Sequence, residues 1–326
     1  MPLFSPYRND RSGVSADEAL VYHTHGLLYP FQSQEWNPTL DTPIPSQKVR
    51  NYCRGQISTS PSTDFRAYIL AQPTIASDGV PVQAGPTNAV AGANLGGTRQ
   101  DFTGNSPHTV TSFTSNFYSR ILSCSLRVRN ITPIDQRGGS MYFCRSPIDN
   151  TLTGSMDTQI SQLEPIGYAR EGSMMKDEWQ YFNWIPRDPD QTEFRGNDRP
   201  PNFLNSGNVG TMLGVYMFAP NGTATQTVEF EYVCWGEVID ATSETPALHH
   251  SSRNQPHHLT STVHSVVSHI INSDEHLQGS PNKHLASYVV RAVKMGLDAH
   301  QIVSNAADLI AQGTKVGRSV IKAIGI

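Results

Sequence analysis

A chain of 326 residues is long enough for one large domain or two small ones, with a substantial core. Only 16% of its residues are charged and 37% are hydrophobic, and Gly, Pro, Ser, Thr and Asn crowd the first three-quarters, which fits short strands joined by long polar loops better than helical bundles or βαβ units. The formal net charge of −4 excludes a chain that attracts nucleic acid over its whole surface, so any such contact has to be local, and no apolar run approaches the roughly 20 residues that cross a bilayer.

In chain order, residues 1–60 are Pro-rich and polar with little periodicity, and read as an arm lying along the inside of something larger. Asp64 to Ala71, DFRAYILA, has strand character. The Gly/Pro/Asn/Thr stretch from Gln72 to Thr111 is a long loop of the kind that carries function or contacts between subunits. Phe117 to Ile131, FYSRILSCSLRVRNI, is the clearest strand: period two points Leu122, Cys124, Leu126 and Val128 inward and Ser123, Ser125, Arg127 and Arg129 outward. The turn PIDQRGGS then leads to Met141–Arg145, which the hairpin pattern makes its antiparallel neighbour. Thr211–Phe218 and Thr225–Ile239 are two further strands around the turn Pro220-Asn221-Gly222, the second with Val228, Phe230 and Tyr232 on one face and Glu229 and Glu231 on the other.

Near Asp240 the composition changes. Residues 241–284 read as a Ser-, Thr- and His-rich linker, after which Leu285, Val289, Val293 and Leu297 repeat at helical spacing, followed by a second stripe of Leu309, Val316, Val320 and Ile324. The domain plan is therefore an arm at 1–60, a β shell at 61–240, the linker, and a helical tail at 285–326.

Cys53, Cys124, Cys144 and Cys234 lie far apart with no CxxC pairing and no signal-like N-terminus, so they are expected as reduced thiols in the core or strands, with the sequons at Asn130 and Asn221 unmodified. Patterns of the GxSxG, HExxH and GxGxxG types are missing, and no metabolic activity is expected. His23 and His25, and the pairs His249-His250 and His257-His258, have no carboxylate or Cys at ligand spacing; a solvated polar role is the plainer reading than a metal site. Asp188, Asp190 and Glu193 share one loop, DPDQTE, readable as a cluster of hard oxygen ligands for calcium or as a solvated acidic turn. The last 21 residues carry Lys315, Arg318 and Lys322 against Asp308, a cationic amphipathic segment suited to a membrane interface, to nucleic acid, or to packing on the core.

These segments, in order, resemble the capsid proteins of nodaviruses and their noda-like relatives. DFRAYILAQPT is similar to that family's first shell strand, TSFTSNFYSRILSCSLRVRNITPIDQRGGSMYFCRSP to its central strand pair, and VEFEYVCWGEVID to its last strand. YVVRAVKMGLDAHQIVSNAA resembles the approach to the family's maturation cleavage site, with Asn305-Ala306 standing where the bond is cut and 306–326 where the membrane-active peptide follows. EWNPTLDTPIP resembles the inner-arm segment bearing the catalytic acid, here Glu35 before Trp36 and Asn37, where the family has Asp. The Arg-rich arm of the family is replaced by a segment with only Arg8 and Arg11 in the first forty residues.

The resemblance implies a single eight-stranded jelly roll, all-β, with an N-terminal arm and C-terminal amphipathic helices. It implies a coat protein that self-assembles into an icosahedral virion in the host cytoplasm, packages a genome, most simply RNA, holds calcium between subunits near Asp188, Asp190 and Glu193, and meets a host membrane through its tail. A lectin-like carbohydrate-binding sandwich shares the fold and remains the alternative. A metal-dependent cupin is disfavoured, because nine of the twelve histidines lie between His249 and His300, outside the expected strands.

Overall fold

The computed structural model describes residues 16–33, 47–58, 65–76, 81–86, 100–106, 117–146, 161, 168–184, 212–219, 226–240, 257–273, 283–297 and 302. Ten strands are formed: β1 (Gln47–Ser58), β2 (Phe65–Ala71), β3 (Val82–Pro86), β4 (Gln100–Phe102), β5 (Phe117–Asn130), β6 (Ser140–Ser146), β7 (Tyr168–Ser173), β8 (Gln180–Trp184), β9 (Met212–Ala219) and β10 (Thr227–Asp240). They make a four-stranded sheet, β1-β10-β5-β8, and a six-stranded sheet, β4-β3-β2-β9-β6-β7, and every pairing is antiparallel.

With the side hairpin β3–β4 set aside, eight strands remain, and they pair first with last, second with seventh, third with sixth and fourth with fifth. That order is a single long hairpin rolled up across two sheets, which is a jelly roll. Alternation fills the space between the sheets. Val49, Cys53 and Ile57 of β1, Cys124, Leu126 and Val128 of β5, Phe182 and Trp184 of β8, and Val228, Phe230, Tyr232 and Cys234 of β10 meet Ala67 and Ile69 of β2, Met141 and Phe143 of β6 and Leu213, Val215 and Met217 of β9. The one phenol among them is satisfied internally: Tyr232 donates to the Gln72 carbonyl oxygen at 2.7 Å and accepts from the Thr74 amide at 3.1 Å. All four cysteines are buried and unbridged, and burial pushes the Cys53 and Cys144 thiols up to about 12.

The expected hairpin of β5 with β6 does not form. Both edges of β5 are taken by β10 and β8, and both edges of β6 by β9 and β7. The nine residues between them, with a 3-10 turn at Ile134–Gln136, carry the chain from one sheet to the other. The inward set on β5 also needs one correction. The pairing with β10 slips between Trp235 and Gly236, so that Ser123 faces Trp235 and Ile121 faces Gly236. Leu122 is the extra residue of this bulge and packs with Val233 and Trp235 on the outer face, while Ile121 takes the core position. Gly236 is required there: a Cβ would stand 2.5 Å from Ile75 Cγ2 and 2.8 Å from the Arg120 carbonyl oxygen.

Three helices form a second core. α1 (Ala16–Leu28), α2 (His257–Ser273) and α3 (Lys283–Lys294) bury Leu20, Leu27, Val263, Val266, Val267, Ile270, Leu285, Val289 and Val293 together with Ile302. Two expected boundaries shift. The stretch assigned to an arm contains α1 and the whole of β1, and the stretch assigned to a linker contains α2. In both, the apolar spacing is helical or alternating but is diluted by His, Ser and Thr, which masks it by composition. Within the tail, Leu285, Val289 and Val293 share a buried face as expected, but Leu297 does not join them and is 36% exposed. Gly296, at φ +69, ends α3: its amide bonds Val293 and the Leu297 amide bonds Ala292, which turns the chain away from the helix axis.

Candidate functional site

The outer face of the four-stranded sheet gathers a dense set of charged residues. Period two places Arg50, Tyr52 and Arg54 of β1, Arg120, Arg127 and Arg129 of β5, and Glu229, Glu231 and Glu237 of β10 on this side. The expected outward positions of Arg127, Arg129, Glu229 and Glu231 are therefore met. Glu229 is 1% exposed and sits between two arginines, accepting from Arg54 Nε and from Arg129 Nε, each at 2.7 Å. Arg127 Nε donates to Glu231 at 2.8 Å and Arg120 Nε to Glu237 at 2.7 Å. Burial works to raise the Glu229 carboxyl, but the hydrogen bonds and charges of Arg129 and Arg54 outweigh it and hold the group below its ordinary 4.5.

Aromatic rings interleave with these cations. The Arg127 guanidinium lies 4.4 Å from the ring centres of both Phe31 and Trp179, and Arg129 lies 4.4 Å from Trp179. Lys48 and Arg50 stand over Trp235, at 4.9 and 5.8 Å. Six cations against three carboxylates leave this face locally positive on a chain that is acidic as a whole.

The helical layer is fastened to the same face. Asn183 of β8 donates its amide to the carbonyl oxygens of Leu27 and Leu28, at 2.8 and 3.0 Å, which satisfies the end of α1. Trp235 donates to the Pro30 carbonyl oxygen in the 3-10 turn Pro30–Gln32, and Phe31 packs on Leu122, Val233 and Trp235. Between α1 and α2, His23 Nε2 and His264 Nε2 are 2.8 Å apart. No sequence signal marks this pair, whose members are separated by 241 positions.

The residues singled out for chemistry, Glu35, Asn305, Ala306, Asp188, Asp190, Glu193, Lys315, Arg318 and Lys322, lie outside the described residues. Their neighbours along the chain are informative. Ser33, two positions before Glu35, is buried and its hydroxyl accepts from Lys48 Nζ at 3.1 Å. Ile302, three before Asn305, is buried in the cluster that also holds Leu28 and Tyr29. Among the described residues no group of three His, Cys, Asp or Glu side chains is placed to hold a metal, and no helix is long and apolar enough to cross a membrane. Asn130 is buried, with its amide bonded to Met174 O and Gln226 Oε1.

No protein-family model and no curated protein matches the chain. Among solved structures, the 60-mer BFDV capsid protein is 12% identical with a TM-score of 0.34, covering 63% of this chain and 98% of that one. The structure of the Macrobrachium rosenbergii nodavirus is 12% identical with a TM-score of 0.35 over 62% of this chain and 59% of that one. The mud crab tombus-like virus gives 12% and 0.30 over 59% and 84%. The jelly roll itself is defined by the strand order and registers of this chain, independently of those likenesses.

Proposed function

We propose that this chain is a viral coat protein whose copies assemble into a closed shell around a genome, with RNA as the cargo and the virion, built in the host cytoplasm, as its location. The observation that carries the reading is a jelly roll whose N-terminal and C-terminal helices gather into one layer on one face of one sheet. A closed symmetric shell needs a rigid block that repeats identical contacts and keeps arm and tail on a common side. The ordered sequence resemblance described above supports the same reading, and the locally positive face with the cationic tail residues Lys315, Arg318 and Lys322 supports neutralisation of the cargo without an Arg-rich arm. Sedimentation of the expressed protein after nuclease treatment tests it. Fast-sedimenting particles that retain nuclease-resistant RNA are expected; a species that stays near the 35.8 kDa of one chain and binds glycans overturns it in favour of the lectin-like alternative.

The same reading extends to maturation. In this proposal the side-chain amide nitrogen of Asn305 attacks the main-chain carbonyl carbon of Asn305, the bond to the Ala306 nitrogen breaks, a cyclic imide forms, and the freed amine takes up a proton. Glu35 manages that proton as general acid or base. What supports the juxtaposition is the burial of Ile302 in the cluster that holds Leu28 and Tyr29, with Ser33 buried on the adjoining sheet face. Two or three residues of extended chain reach only about 7–10 Å from those anchors. Peptide 306–326, once released, is the segment proposed to bind host membrane. Asp188, Asp190 and Glu193 are proposed to hold calcium between subunits, where carboxylates brought together by assembly repel without a cation.

A further inference from the structure

We propose that the His23–His264 contact is an acid-opened latch that holds α2 on α1. The device is a property of the folded chain and stands whether or not copies form shells. Its geometry is specific. The two Nε2 atoms are 2.8 Å apart with ring centroids at 5.2 Å, so one nitrogen must be bare to accept the other's proton. His23 is 8% exposed and His264 half-buried, on helices whose Leu20, Leu27, Val263 and Val267 are buried in the second core.

Among the described residues the charged groups that act on His23 are positive: Arg120 from β5, Lys48 from β1 and, once protonated, His264 from α2. The acidic group on that part of the sheet, Glu237 of β10, is held by Arg120. On α3, Arg291 and Lys294 are exposed, and on α2 so is His269. On α1 His25 meets the Tyr29 ring in a tilted contact at 5.2 Å, and β8 contributes Tyr181 and Asn183 to this side, the latter capping α1. A first proton on the pair places an ion in an apolar layer beside two cations. A second sets two N–H donors against each other.

Burial, then His264, Arg120 and Lys48, hold His23 well below its ordinary 6.5, and burial holds His264 down to about 4. Both groups are bases whose values are lowered in the closed form, so closure is fully favoured above about pH 6.5 and is lost as pH falls from there toward 4. Across that window each pH unit shifts the closed-to-open ratio by up to about tenfold for each histidine. Among the described residues α2 is the first helix after β10, and α3 keeps its own buried face in the core it shares with α1, so opening releases α2 alone.

Hydrogen exchange of the full chain at pH 7.5, 6.0 and 5.0, corrected for the intrinsic pH dependence of exchange, tests the latch. Amides of 257–273 are expected to lose at least about tenfold in protection between pH 7.5 and 5.0 while those of β10 keep theirs, and the double variant His23→Leu/His264→Leu is expected to abolish the difference. Protection of α2 that ignores pH in the wild type, or the same acid loss in the double variant, overturns the proposal. Should the double variant fail to fold, ring NMR titration of wild-type His264 decides: a midpoint near 4 supports the latch, and one near the ordinary 6.5 overturns it.

Discussion

Trp235 donates its indole N–H to the carbonyl oxygen of Pro30 at 2.8 Å, across 205 positions of sequence, and so ties the N-terminal turn to the last strand of the jelly roll. The ring is 2% exposed, covered by Phe31 and flanked by Lys48 and Arg50. Replacing it by Phe keeps an aromatic ring but leaves the Pro30 oxygen without its buried donor, at a cost of about 1–3 kcal/mol. Trp235→Phe is expected to lower the unfolding midpoint in urea and to make the chain near 30–33 the first site of limited proteolysis. A midpoint unchanged within error would mean that the turn is held by packing alone.

Glu229 shared between Arg54 and Arg129 sets an acid limit on the sheet. Its carboxyl is held below the ordinary 4.5 in the folded protein, so its contribution is present above that value and disappears as pH falls through the lowered one. Both guanidinia reach solvent, which screens the interaction, so Glu229→Gln is expected to cost only about 1–2 kcal/mol at pH 7. The gap between variant and wild type should narrow as pH falls below 4.5 and through the lowered value of the folded carboxyl. Urea titrations at pH 7 and pH 3.5 check this, and a gap of equal size at both values would contradict it.

Gly236 makes the β5–β10 bulge possible. Its absent Cβ leaves room for Ile75 and for the Arg120 carbonyl, and only the first of these can move. Gly236→Ala is expected to destabilise by about 1–3 kcal/mol. Adding Ile75→Val, which removes Cδ1 but keeps Cγ2, should recover only part of the loss, because the contacts with Cγ2 and with the Arg120 carbonyl oxygen remain. Full recovery in the double variant, measured by thermal unfolding, would show that the side chain alone sets the constraint.

Much of the fold is legible in the sequence because period-two alternation is strong where a strand has one buried and one solvated face. β5 and β10 show this most clearly, with Leu126 and Phe230 inside and Arg127 and Glu231 outside. Strand pairing is less legible. A nine-residue link between β5 and β6 looks like a hairpin until the two-sheet path is known, since which edges are already taken is decided by residues a hundred positions away. Leu122 shows the same limit at one residue, because a bulge inverts the face without altering the composition. α1 and α2 are hidden for another reason. Their apolar positions are interrupted by His23, Thr24, His25 and His264; Thr24 is satisfied locally by the Leu20 carbonyl one turn back, but the partnership of His23 with His264 spans 241 positions and has no local signal.

The proposed cleavage between Asn305 and Ala306 makes a mass prediction. Assembled particles aged near neutral pH should accumulate a fragment beginning at Ala306, and Asn305→Ala and Glu35→Gln should each keep the chain whole while still assembling. Particles that retain only full-length chains would remove the cleavage and leave the tail to act while attached.

Calcium between subunits predicts a chelator response. Adding EDTA to assembled particles should lower their thermal midpoint by several degrees, and Asp188→Asn/Asp190→Asn/Glu193→Gln particles should already show the lower midpoint and ignore the chelator. Wild-type particles indifferent to EDTA would remove calcium from the subunit contacts.

Negative-stain imaging of the purified, expressed chain tests the coat-protein reading most directly. Uniform closed spheres with a regular surface lattice are the expected result if, as proposed, copies of this jelly roll repeat identical contacts until they close. A field of small monodisperse particles of single-chain size, unchanged by concentration, salt or added RNA, would contradict it.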